Sequence, residues 1–415
     1  MHILVFTHYF PPEVNAPASR LFDLARLWVA AGHRVTVVTA APSHPAGKVY
    51  PGYENRLFAR ETIAGIDVIR VWTWLAANEG FALRIINYVS YFLSVAVQGF
   101  RLPAADVVIS SSPQFFCGLA GRMFQRRHRP WVLEIRDLWP ESIVTVGAVK
   151  RGRLIRMLEA IEAWAYRRAD RVVAVTDSFV PFIAARRGTS EGIAVIKNGA
   201  DLDFYDPAAA ADRGRELREE LGLGDRFVAA YVGTHGMAQG LGAVLDAAGR
   251  TRDRDDIVYL FVGDGAERRD LVAAAEARAL TNVRIVGQRP KSDMPGIWSL
   301  TGASLVVLRK SDTFKSVLPS KMFEAMAMRR PIILGVEGEA KALLDASGGG
   351  VAVTPESGAE IAAAVLAMAS DPALAMTLGN AGRAYVATHF NRESLANRYA
   401  DVLAGAIAEK QLAPR

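Results

Sequence analysis

Short apolar runs that alternate with helical patterns are the feature of this chain that most limits what it can fold into. A run that is apolar at every position suits a strand buried on both faces, and such strands occur in parallel sheets covered by helices. Repeated alternation therefore predicts an α/β fold with parallel sheets. The predicted strands are residues 3–7, 35–39, 68–71, 107–110, 131–135, 172–175, 194–196, 228–232, 257–262, 283–285, 305–307, 332–334 and 350–353.

The length of 415 residues exceeds one comfortable core, so two domains are expected. The strand–helix pattern starts afresh after a polar stretch at 206–225. We therefore predict two Rossmann-like, doubly wound parallel-sheet domains, residues 1–200 and 201–370, facing each other across a cleft. Residues 371–415 are helical without a strand and must pack on sheets already formed. Ligands of such sheets bind at the carboxyl ends of the strands, so the loops there form the candidate site.

Composition places the chain among ordinary globular proteins, with 51% hydrophobic and 22% charged residues. Its single cysteine, Cys117, excludes an internal disulfide and a cysteine-based metal cluster, as in proteins of a reducing cytoplasm. The N-terminus enters an apolar, strand-like run without a basic region or a cleavage site. We therefore expect no signal peptide.

Charge is divided unevenly along the chain. Residues 1–200 contain 24 Lys and Arg against 15 Asp and Glu, a balance of +9, and the remaining 25 and 28 leave −3. A basic half fits an anionic partner, either a membrane surface or a nucleic acid, or a solvated face without a partner. The apolar segment 81–100 contains Arg84 and Asn87, which argue against a membrane span. We expect a mostly buried helix there, with an interfacial membrane contact as the alternative.

Residues 309–334 contain the strongest candidate site. A short helix is predicted to start at Pro319 and Ser320, with Lys321 and Glu324 three residues apart on one face. Unpaired N–H groups at a helix start attract phosphate, and Lys321 adds a positive charge there. Glu324 is placed to accept hydrogen bonds from a diol such as a ribose. The pair predicts a nucleoside diphosphate site, and a surface salt bridge is the alternative.

Other strand ends add polar groups. Asp137, after the run 131–135, is a candidate base for an incoming hydroxyl, and Arg136 is a candidate phosphate ligand. A structural Arg–Asp pair is the alternative. The glycines of the loop 233–240 would let a phosphate approach the backbone before a helix. Asp201 and Asp203 form an Asp-x-Asp pattern, which we interpret as a turn and not as a metal site.

Taken in order, these loops resemble those of the family 4 glycosyltransferases, which have the two-domain GT-B fold. The resemblance covers essentially the whole chain. Within the family, it is strongest to the branch that transfers N-acetyl-fucosamine-type sugars in surface-polysaccharide or O-antigen synthesis. The segments that carry it are FPPEVNAPASR (10–20), RDLWPES (136–142), NGAD (198–201), Gly233 with Gln239 and Gly240, and VLPSKMFEAMA (317–327).

The resemblance implies a retaining transferase with a nucleotide-sugar donor, UDP-linked, on the second domain. A polyprenyl-diphosphate-linked or glycan acceptor would bind the first domain, and the final helix would cross back onto that domain. It implies no metal or other cofactor, no nucleic acid, and a cytoplasmic location on an anionic membrane surface at the inner face of the plasma membrane. The implied catalytic residues are Arg136, Asp137 and Lys321. The implied donor-binding residues are Gly233, Thr234, Gln239, Arg289, Lys315, Ser316, Ser320 and Glu324, and the acceptor residues are Asn15 and Arg20.

Several positions depart from the family pattern. Thr234 and Gln239 stand where the family has Arg and Lys, and Arg136 stands where it has a His. Ser316 stands where it has the first Glu of a Glu-x7-Glu pair. Positive charge for the diphosphate must therefore come from elsewhere. The candidate sources are Lys321, Lys315 and Arg309.

Two other functions are alternatives at this point. A nucleotide-sugar epimerase of the same fold would use the same nucleotide pocket but needs acid–base pairs around the sugar. A nucleic-acid-binding protein would use the basic half of the chain. However, the sequence lacks a basic motif interleaved with aromatic residues, and Glu324 would have no role in such a protein.

Overall fold

The N-terminal half of the chain forms an eight-stranded sheet. The structure, a computed structural model, describes residues 1–44, 46–76, 81–112, 115–141 and 152–412. Met1–Lys197 and Glu393–Arg415 form one unit around the sheet, whose order is β3-β4-β2-β1-β5-β6-β7-β8. Its strands are β1 (His2–Phe6), β2 (Arg34–Ala40), β3 (Phe58–Ile63), β4 (Ile66–Val71), β5 (Val107–Ser111), β6 (Trp131–Ile135), β7 (Arg171–Ala174) and β8 (Ile193–Val195).

The edge strand β3 is the part of this sheet that the sequence analysis did not predict. It pairs antiparallel with β4, whereas every other pair of neighbouring strands is parallel. Its residues alternate between exposed and half-buried positions, so they form no apolar run. The other seven strands lie within two residues of their predicted positions.

Helices cover both faces of the first sheet. They are α1 (Ala16–Ala30), α2 (Phe81–Gln98), α3 (Phe115–Phe124), α4 (Arg153–Arg168) and α5 (Val180–Arg187). On one face, Leu21, Leu24 and Trp28 of α1 pack against the strands. On the other face, a second core includes Tyr91 of α2 and Tyr166 of α4. The inner strands are therefore buried from both sides, which explains their continuous apolar runs.

The second unit, Asn198–Arg392, contains a six-stranded parallel sheet in the order β11-β10-β9-β12-β13-β14. The first strand of this sheet, β9, lies in its middle. Later strands are added first on one side of β9 and then, from β12 onward, on the other side. Doubly wound sheets bind ligands at this point, where the order of the strands reverses. The strands are β9 (Phe227–Val232), β10 (Ile257–Val262), β11 (Val283–Val286), β12 (Ala303–Val307), β13 (Ile332–Gly335) and β14 (Gly350–Ala352). The prediction of two doubly wound α/β sheets is confirmed.

Eight helices in the described residues surround the second sheet. They are α6 (Ala211–Glu220), α7 (Gly242–Arg250), α8 (Arg268–Ala277), α9 (Met294–Leu300), α10 (Lys321–Ala327), α11 (Glu339–Ser347), α12 (Gly358–Ser370) and α13 (Pro372–His389). Apolar side chains fill a core on each face of the sheet. The short α10 contributes Met322, Phe323 and Met326 to one of these cores, which fixes the direction of its polar face.

The C-terminal residues divide between the two units, which corrects the predicted boundary at residue 371. α13 belongs to the second unit, because a side chain at Gly379 would collide with the Arg329 carbonyl and Gly382 lies against Met326. The last helix, α14 (Arg392–Leu412), belongs to the first unit from Glu393 onward. Its residues Tyr399 and Leu403 join the core around α1.

α2 is buried on one side only, which corrects the prediction of a mostly buried helix. Tyr91 and Val95 face the core, whereas Leu93 and Val97 are 56% and 67% exposed. The polar Asn87 lies on the buried side, where its Nδ2 donates to a backbone carbonyl at 2.6 Å. Among the described residues, no single helix has the length and hydropathy to cross a bilayer. α12 and α13 reach that threshold only together, across a bend of 104°.

Candidate active site

The candidate site lies in the second unit, at the carboxyl ends of β9 and β12, where the strand order reverses. The loops that follow these two strands touch each other. The Arg309 N–H donates to the carbonyl oxygen of Ala238 at 2.9 Å. Gly240 has a φ of 60°, and a Cβ there would lie 3.2 Å from Cγ of Arg309. The segments 233–240 and 309–324, both predicted to bind the donor, therefore begin at neighbouring points of this edge.

Three glycines allow the loops after β9 and β10 to come into contact. Gly233, Gly263 and Gly265 have φ values of 137°, 147° and 157°, a range that residues with a side chain rarely adopt. A Cβ at Gly263 would collide with the carbonyl of Gly233, and one at Gly265 would collide with the carbonyl of His235. These contacts fix the backbone of the loop that carries Thr234 and His235.

Lys321 extends from the first turn of α10 toward this loop. Its Nζ lies 3.7 Å from the centre of the Tyr231 ring, and a Cβ at Gly233 would be 2.9 Å from it. Ser320 precedes it as the N-cap residue, and the Ser320 side chain makes no capping hydrogen bond. Lys321 is partly exposed. Among the described residues, no carboxylate oxygen lies within the 4.0 Å ion-pair distance of Nζ.

The environment of Lys321 changes its protonation. Desolvation by the surrounding protein lowers the pKa of Lys321 to about 7, and the charge of Glu324 opposes this shift only in part. The amine is therefore close to half-protonated at neutral pH. An anion that approached Nζ would favour the protonated form, so this lysine is suited to bind a negatively charged group.

Glu324 lies one turn further along α10. The indole N–H of Trp298 donates to its carboxylate at 3.4 Å. Burial raises the pKa of Glu324, while the charges of Arg392 and Lys291 and hydrogen bonds from Trp298 and Tyr205 oppose the rise. The residue is nevertheless partly exposed, so its carboxylate remains able to accept hydrogen bonds from a ligand. α10 thus presents an amine and a carboxylate on one helical turn, at the predicted spacing.

His235 is a candidate that the sequence analysis missed. It is fully buried between the rings of Tyr231 and Phe261. Burial lowers the pKa of His235 to about 4, and the charges of Arg268 and Lys321 add to the effect. Neither ring nitrogen has a hydrogen-bond partner among the described residues. Its position within the glycine-rich loop 233–240 was the available signal in the sequence.

Two of the predicted donor residues have partners nearby in the chain. Lys315 forms ion pairs with Asp312 at 2.6 Å and with Glu337 at 3.8 Å. The Ser316 hydroxyl donates to the carbonyl oxygen of Thr313 at 3.0 Å. Lys315 is therefore largely neutralised within its own segment, and Lys321 is the less compensated of the two lysines.

The other predicted donor residues lie on two loops of the same edge, the loop 233–240 after β9 and the loop after β11. Thr234 is exposed on the glycine loop, and its carbonyl accepts a hydrogen bond from the Tyr231 hydroxyl at 2.7 Å. Gln239 lies half-buried in the short turn that ends at Gly240. Arg289 follows β11 and pairs with Glu220 at 2.7 Å.

Arg136 and Asp137 follow β6 at the carboxyl edge of the first sheet. The Arg136 N–H donates to Oγ of Ser112 at 2.8 Å, which joins the loops after β6 and β5. Both side chains are partly exposed. Burial and the charge of Glu162 raise the pKa of the nearby Tyr166, with a smaller contribution from Asp137, and Tyr166 donates to Glu162 at 2.6 Å. Burial raises the pKa of Glu162 to about 7. These groups form a separate polar cluster within the first unit.

Asn15 and Arg20 contribute to the folding of the first unit, and the acceptor role of both stays a prediction. Oδ1 of Asn15 caps α1 by accepting a hydrogen bond from the Ala18 N–H at 3.0 Å. Arg20 is 5% exposed, pairs with the fully buried Glu134 at 3.3 Å, and donates to the Lys197 carbonyl at 2.9 Å. Its guanidinium is therefore largely enclosed by the protein, which favours a structural role.

The Asp-x-Asp pattern is a turn, as predicted. Oδ1 of Asp201 accepts hydrogen bonds from the N–H groups of Asp203 and Phe204 at 3.2 and 3.1 Å. In the part of the chain that the structure describes, no group of three or more His, Cys, Asp or Glu side chains is arranged to hold a metal ion.

Known proteins resemble the chain in both sequence and fold. Residues 15–199 match the glycosyl transferase 4-like domain, and residues 214–385 match the glycosyl transferases group 1. A protein of Escherichia coli (strain K12) named as the colanic acid biosynthesis glycosyl transferase WcaI is 25% identical over 81% of this chain and 84% of its own. The alpha-D-kanosaminyltransferase of Streptomyces kanamyceticus is 32% identical over 41% of this chain and 44% of its own.

Solved structures with the same fold include the sucrose-phosphate synthase of Thermosynechococcus elongatus, with a TM-score of 0.75 and 19% identity over 98% of this chain and 99% of its own. Anabaena HepE in complex with UDP has a TM-score of 0.71 and 17% identity over 98% of this chain and 100% of its own. The two domain matches cover all strands of both sheets except β1. The chain therefore belongs to the glycosyltransferases of the GT-B fold, with a family 4 domain followed by a group 1 domain.

Proposed function

We propose that the chain transfers a hexose-type sugar from a UDP-linked donor to a lipid-linked or polysaccharide acceptor in cell-surface glycan synthesis. Transfer retains the anomeric configuration, and the donor sugar is an N-acetylated hexosamine or fucosamine. The observation that carries this proposal is Lys321, a partly exposed amine with a pKa of about 7 and no carboxylate partner among the described residues, at the switch point of the second sheet.

The donor diphosphate binds beside Lys321. As the glycosidic bond breaks, negative charge develops on the leaving nucleoside diphosphate, and the protonated amine stabilises it. Arg309 and Lys315 add positive charge from the loop after β12, although Lys315 shares its charge with Asp312. Positively charged side chains take the place of a metal ion in this scheme, so transfer proceeds without a metal.

Glu324 accepts hydrogen bonds from the two ribose hydroxyls. A carboxylate has two oxygens and suits a vicinal diol, and Trp298 orients it from the protein side. Solved proteins of the same fold support a UDP-linked donor, because HepE was determined with UDP and with UDP-glucose, and the Escherichia coli trehalose-6-phosphate protein was determined with UDP-2-fluoro glucose.

Arg136 and Asp137 act on the acceptor side in the first unit. Asp137 orients the attacking hydroxyl, and Arg136 contacts phosphate of the acceptor. The relatives named for colanic acid and lipopolysaccharide biosynthesis support a polyprenyl-diphosphate-linked acceptor, and thus a cytoplasmic enzyme bound to the inner face of the plasma membrane. We do not retain the epimerase alternative, because both matched families are transferases.

A thermal-shift screen tests the donor assignment. UDP-, GDP- and TDP-sugars are added to the wild-type protein and to Lys321→Met, and binding raises the Tm by an amount that grows with the logarithm of ligand concentration over Kd. We expect a UDP-sugar to give the largest shift in the wild type and a much smaller shift in the variant. A screen in which no nucleotide sugar shifts the wild-type Tm would contradict the proposal.

A further inference from the structure

Helices α2 and α4 present an exposed apolar surface on one side of the first sheet. Half of the large hydrophobic side chains that are exposed in the described part of the chain belong to α2, to the turn that follows it, or to α4. They are Leu83, Ile86, Leu93, Val97, Phe100, Leu154, Met157 and Trp164. We call this surface the α2/α4 face. The described residues of the second unit include only four exposed large hydrophobic side chains. Exposed apolar residues are therefore concentrated on the α2/α4 face and are not spread evenly over the surface.

The apolar residues of α2 form a continuous stripe. Their spacing of three, four or seven residues places them on one side of the helix, with Ser90 filling the gap between Ile86 and Leu93. At a rise of about 1.5 Å per residue, the stripe from Leu83 to Val97 is about 21 Å long. The opposite side, with Tyr91 and Val95, is already packed in the core. Within the described residues of the first unit, the stripe side chains remain about half exposed or more.

The outward side of α4 combines apolar residues with arginines. Its exposed positions are Arg153, Leu154, Arg156, Met157, Ala160, Trp164, Arg167 and Arg168. α2 and α3 contain no acidic residue, and of the two in α4, Glu162 is buried and Glu159 is half-buried. The two helices therefore expose apolar and positively charged groups without fully exposed negative charge between them.

Both helices lie on the same side of the first sheet. Tyr91 of α2 and Tyr166 of α4 belong to one core, which lies between the helices and the strands. A smaller cluster joins them through α3, with Ile85 of α2 and Ile155 of α4 among its members. The sides that face away from these cores therefore point to solvent on one side of the unit.

We propose that the α2/α4 face binds the surface of a lipid bilayer that contains anionic lipids. Apolar stripes flanked by arginine, with a tryptophan at the boundary, bind at the level of the lipid headgroups. The positive charge complements an anionic leaflet. A nucleic acid would bind through its phosphates and would make no favourable contact with the uncharged stripe of α2. A symmetric contact with a second copy of the chain would place the arginines of the two α4 helices together, and their like charges would repel.

The proposal deepens the membrane-linked acceptor of the proposed function and rests on it for its biological purpose. The physical claim, however, is lipid binding, which is measured without any sugar transfer. The two proposals therefore fail in different experiments.

Vesicle flotation tests the apolar part of the face. The probes are vesicles of phosphatidylcholine with phosphatidylglycerol, and vesicles of phosphatidylcholine alone. We expect the full chain to float mainly with the anionic vesicles. Leu93→Glu with Val97→Glu, and separately Met157→Glu with Trp164→Glu, should weaken binding by about tenfold or more, because each places charge where apolar contact is needed. The matched control is Met376→Glu on α13, which is 64% exposed in the second unit and should leave binding unchanged.

A second pair of variants tests the charged part. Arg153→Gln with Arg156→Gln should weaken binding to anionic vesicles by about tenfold or more, since each basic residue near the surface contributes roughly fivefold. Arg252→Gln with Arg269→Gln, two exposed arginines of the second unit, is the control and should change binding little. Added salt should reduce the difference between wild type and the α4 variant.

Three results would overturn the proposal: no flotation of the wild type with anionic vesicles, equal losses in the control variants, or a dimer that Leu93→Glu with Val97→Glu dissociates. Binding to RNA in place of vesicles would likewise assign the face to a nucleic acid. Circular dichroism establishes that each variant is folded. Binding of UDP-N-acetylglucosamine, measured in parallel, should persist in all variants of the α2/α4 face. A loss of this binding in Lys321→Met alone concerns the proposed function and not the lipid surface.

Discussion

The carboxyl edges of the two sheets use their polar side chains differently. In the second unit, Lys321 and His235 are desolvated, and the described residues supply no carboxylate for the Lys321 amine and no hydrogen bond for the His235 ring. In the first unit, Arg20 is paired with Glu134, and Asn15 caps α1. Groups that are partnered by the protein stabilise the fold, whereas groups that are desolvated without a partner reduce stability unless a ligand completes them.

This difference predicts mutational effects of opposite sign. Removing a desolvated charge that has no partner removes its desolvation cost and so stabilises the folded state. Stabilising substitutions of this kind at functional sites commonly reduce activity. Removing one member of a buried ion pair leaves the other charge buried and unpaired. Stability and activity measured together therefore distinguish a site residue from a structural residue.

Lys321→Met is expected to have the largest effect. Sugar transfer should fall by about 10²–10³-fold, because the leaving diphosphate loses its nearest positive charge. The Tm at pH 7 should rise. The pKa of about 7 in the folded protein lies below the ordinary lysine value of 10.5, so the unfolded chain binds more protons between these values. Wild-type stability should therefore increase with pH in this window, and the advantage of the variant should shrink.

The control for Lys321 is Lys341→Met on α11. Lys341 is exposed and pairs with Asp345 at 2.6 Å, so its replacement should change neither transfer nor Tm appreciably. Differential scanning calorimetry and a transfer assay provide both readouts. A Lys321→Met protein with a lower Tm than the wild type would assign this lysine to the fold.

Arg20→Met should act on stability alone. The free energy of unfolding, measured with urea, should fall by about 3–5 kcal/mol, because Glu134 would remain buried without its partner. Arg60→Met is the matched control: Arg60 pairs with Asp67 at 2.6 Å but is 58% exposed, so its replacement should change the free energy of unfolding little. Acceptor KM should stay unchanged in folded Arg20→Met. A raised acceptor KM with intact stability would assign Arg20 to the acceptor site.

Glu324→Gln should have a smaller effect, confined to the donor. Losing the charged acceptor of the ribose hydrogen bonds should weaken UDP binding by about tenfold, as measured by isothermal titration calorimetry. Glu276→Gln, an exposed residue on α8, is the control and should bind UDP as the wild type does. If Glu324→Gln also bound UDP normally, the nucleotide would have to lie elsewhere on the edge.

Local sequence patterns were sufficient to predict every strand except β3, and to predict that Lys321 and Glu324 share one face of a helix. Both depend on short-range rules: continuous apolar runs mark buried strands, and residues three apart share a helical face. β3 was missed because an edge strand with one solvent-facing side has no apolar run. Residues 371–392 were predicted to belong to the first unit, whereas they belong to the second. Which unit a helix joins depends on packing contacts, such as that of Gly382 with Met326, and not on its local sequence pattern.

The remaining site features depend on contacts between distant residues. Arg20 meets Glu134, which is 114 positions away in the chain, and that pairing favours a structural role for the arginine. His235 is enclosed because Gly265 lets another loop approach its backbone. The outward side of α2 is apolar although the segment looks suited to a core, and only the packing of Tyr91 shows which side is buried.

Proton uptake on donor binding tests the central claim most directly. UDP-N-acetylglucosamine has no group that titrates near neutrality, so its binding heat in buffers of different ionisation enthalpy reports the protein's protons. With a pKa of about 7 in the free protein, Lys321 should take up about half a proton at pH 7 and about nine-tenths at pH 8. Lys321→Met should take up none. Donor binding without proton uptake in the wild type, or with equal uptake in Lys321→Met, would contradict a diphosphate site at this lysine.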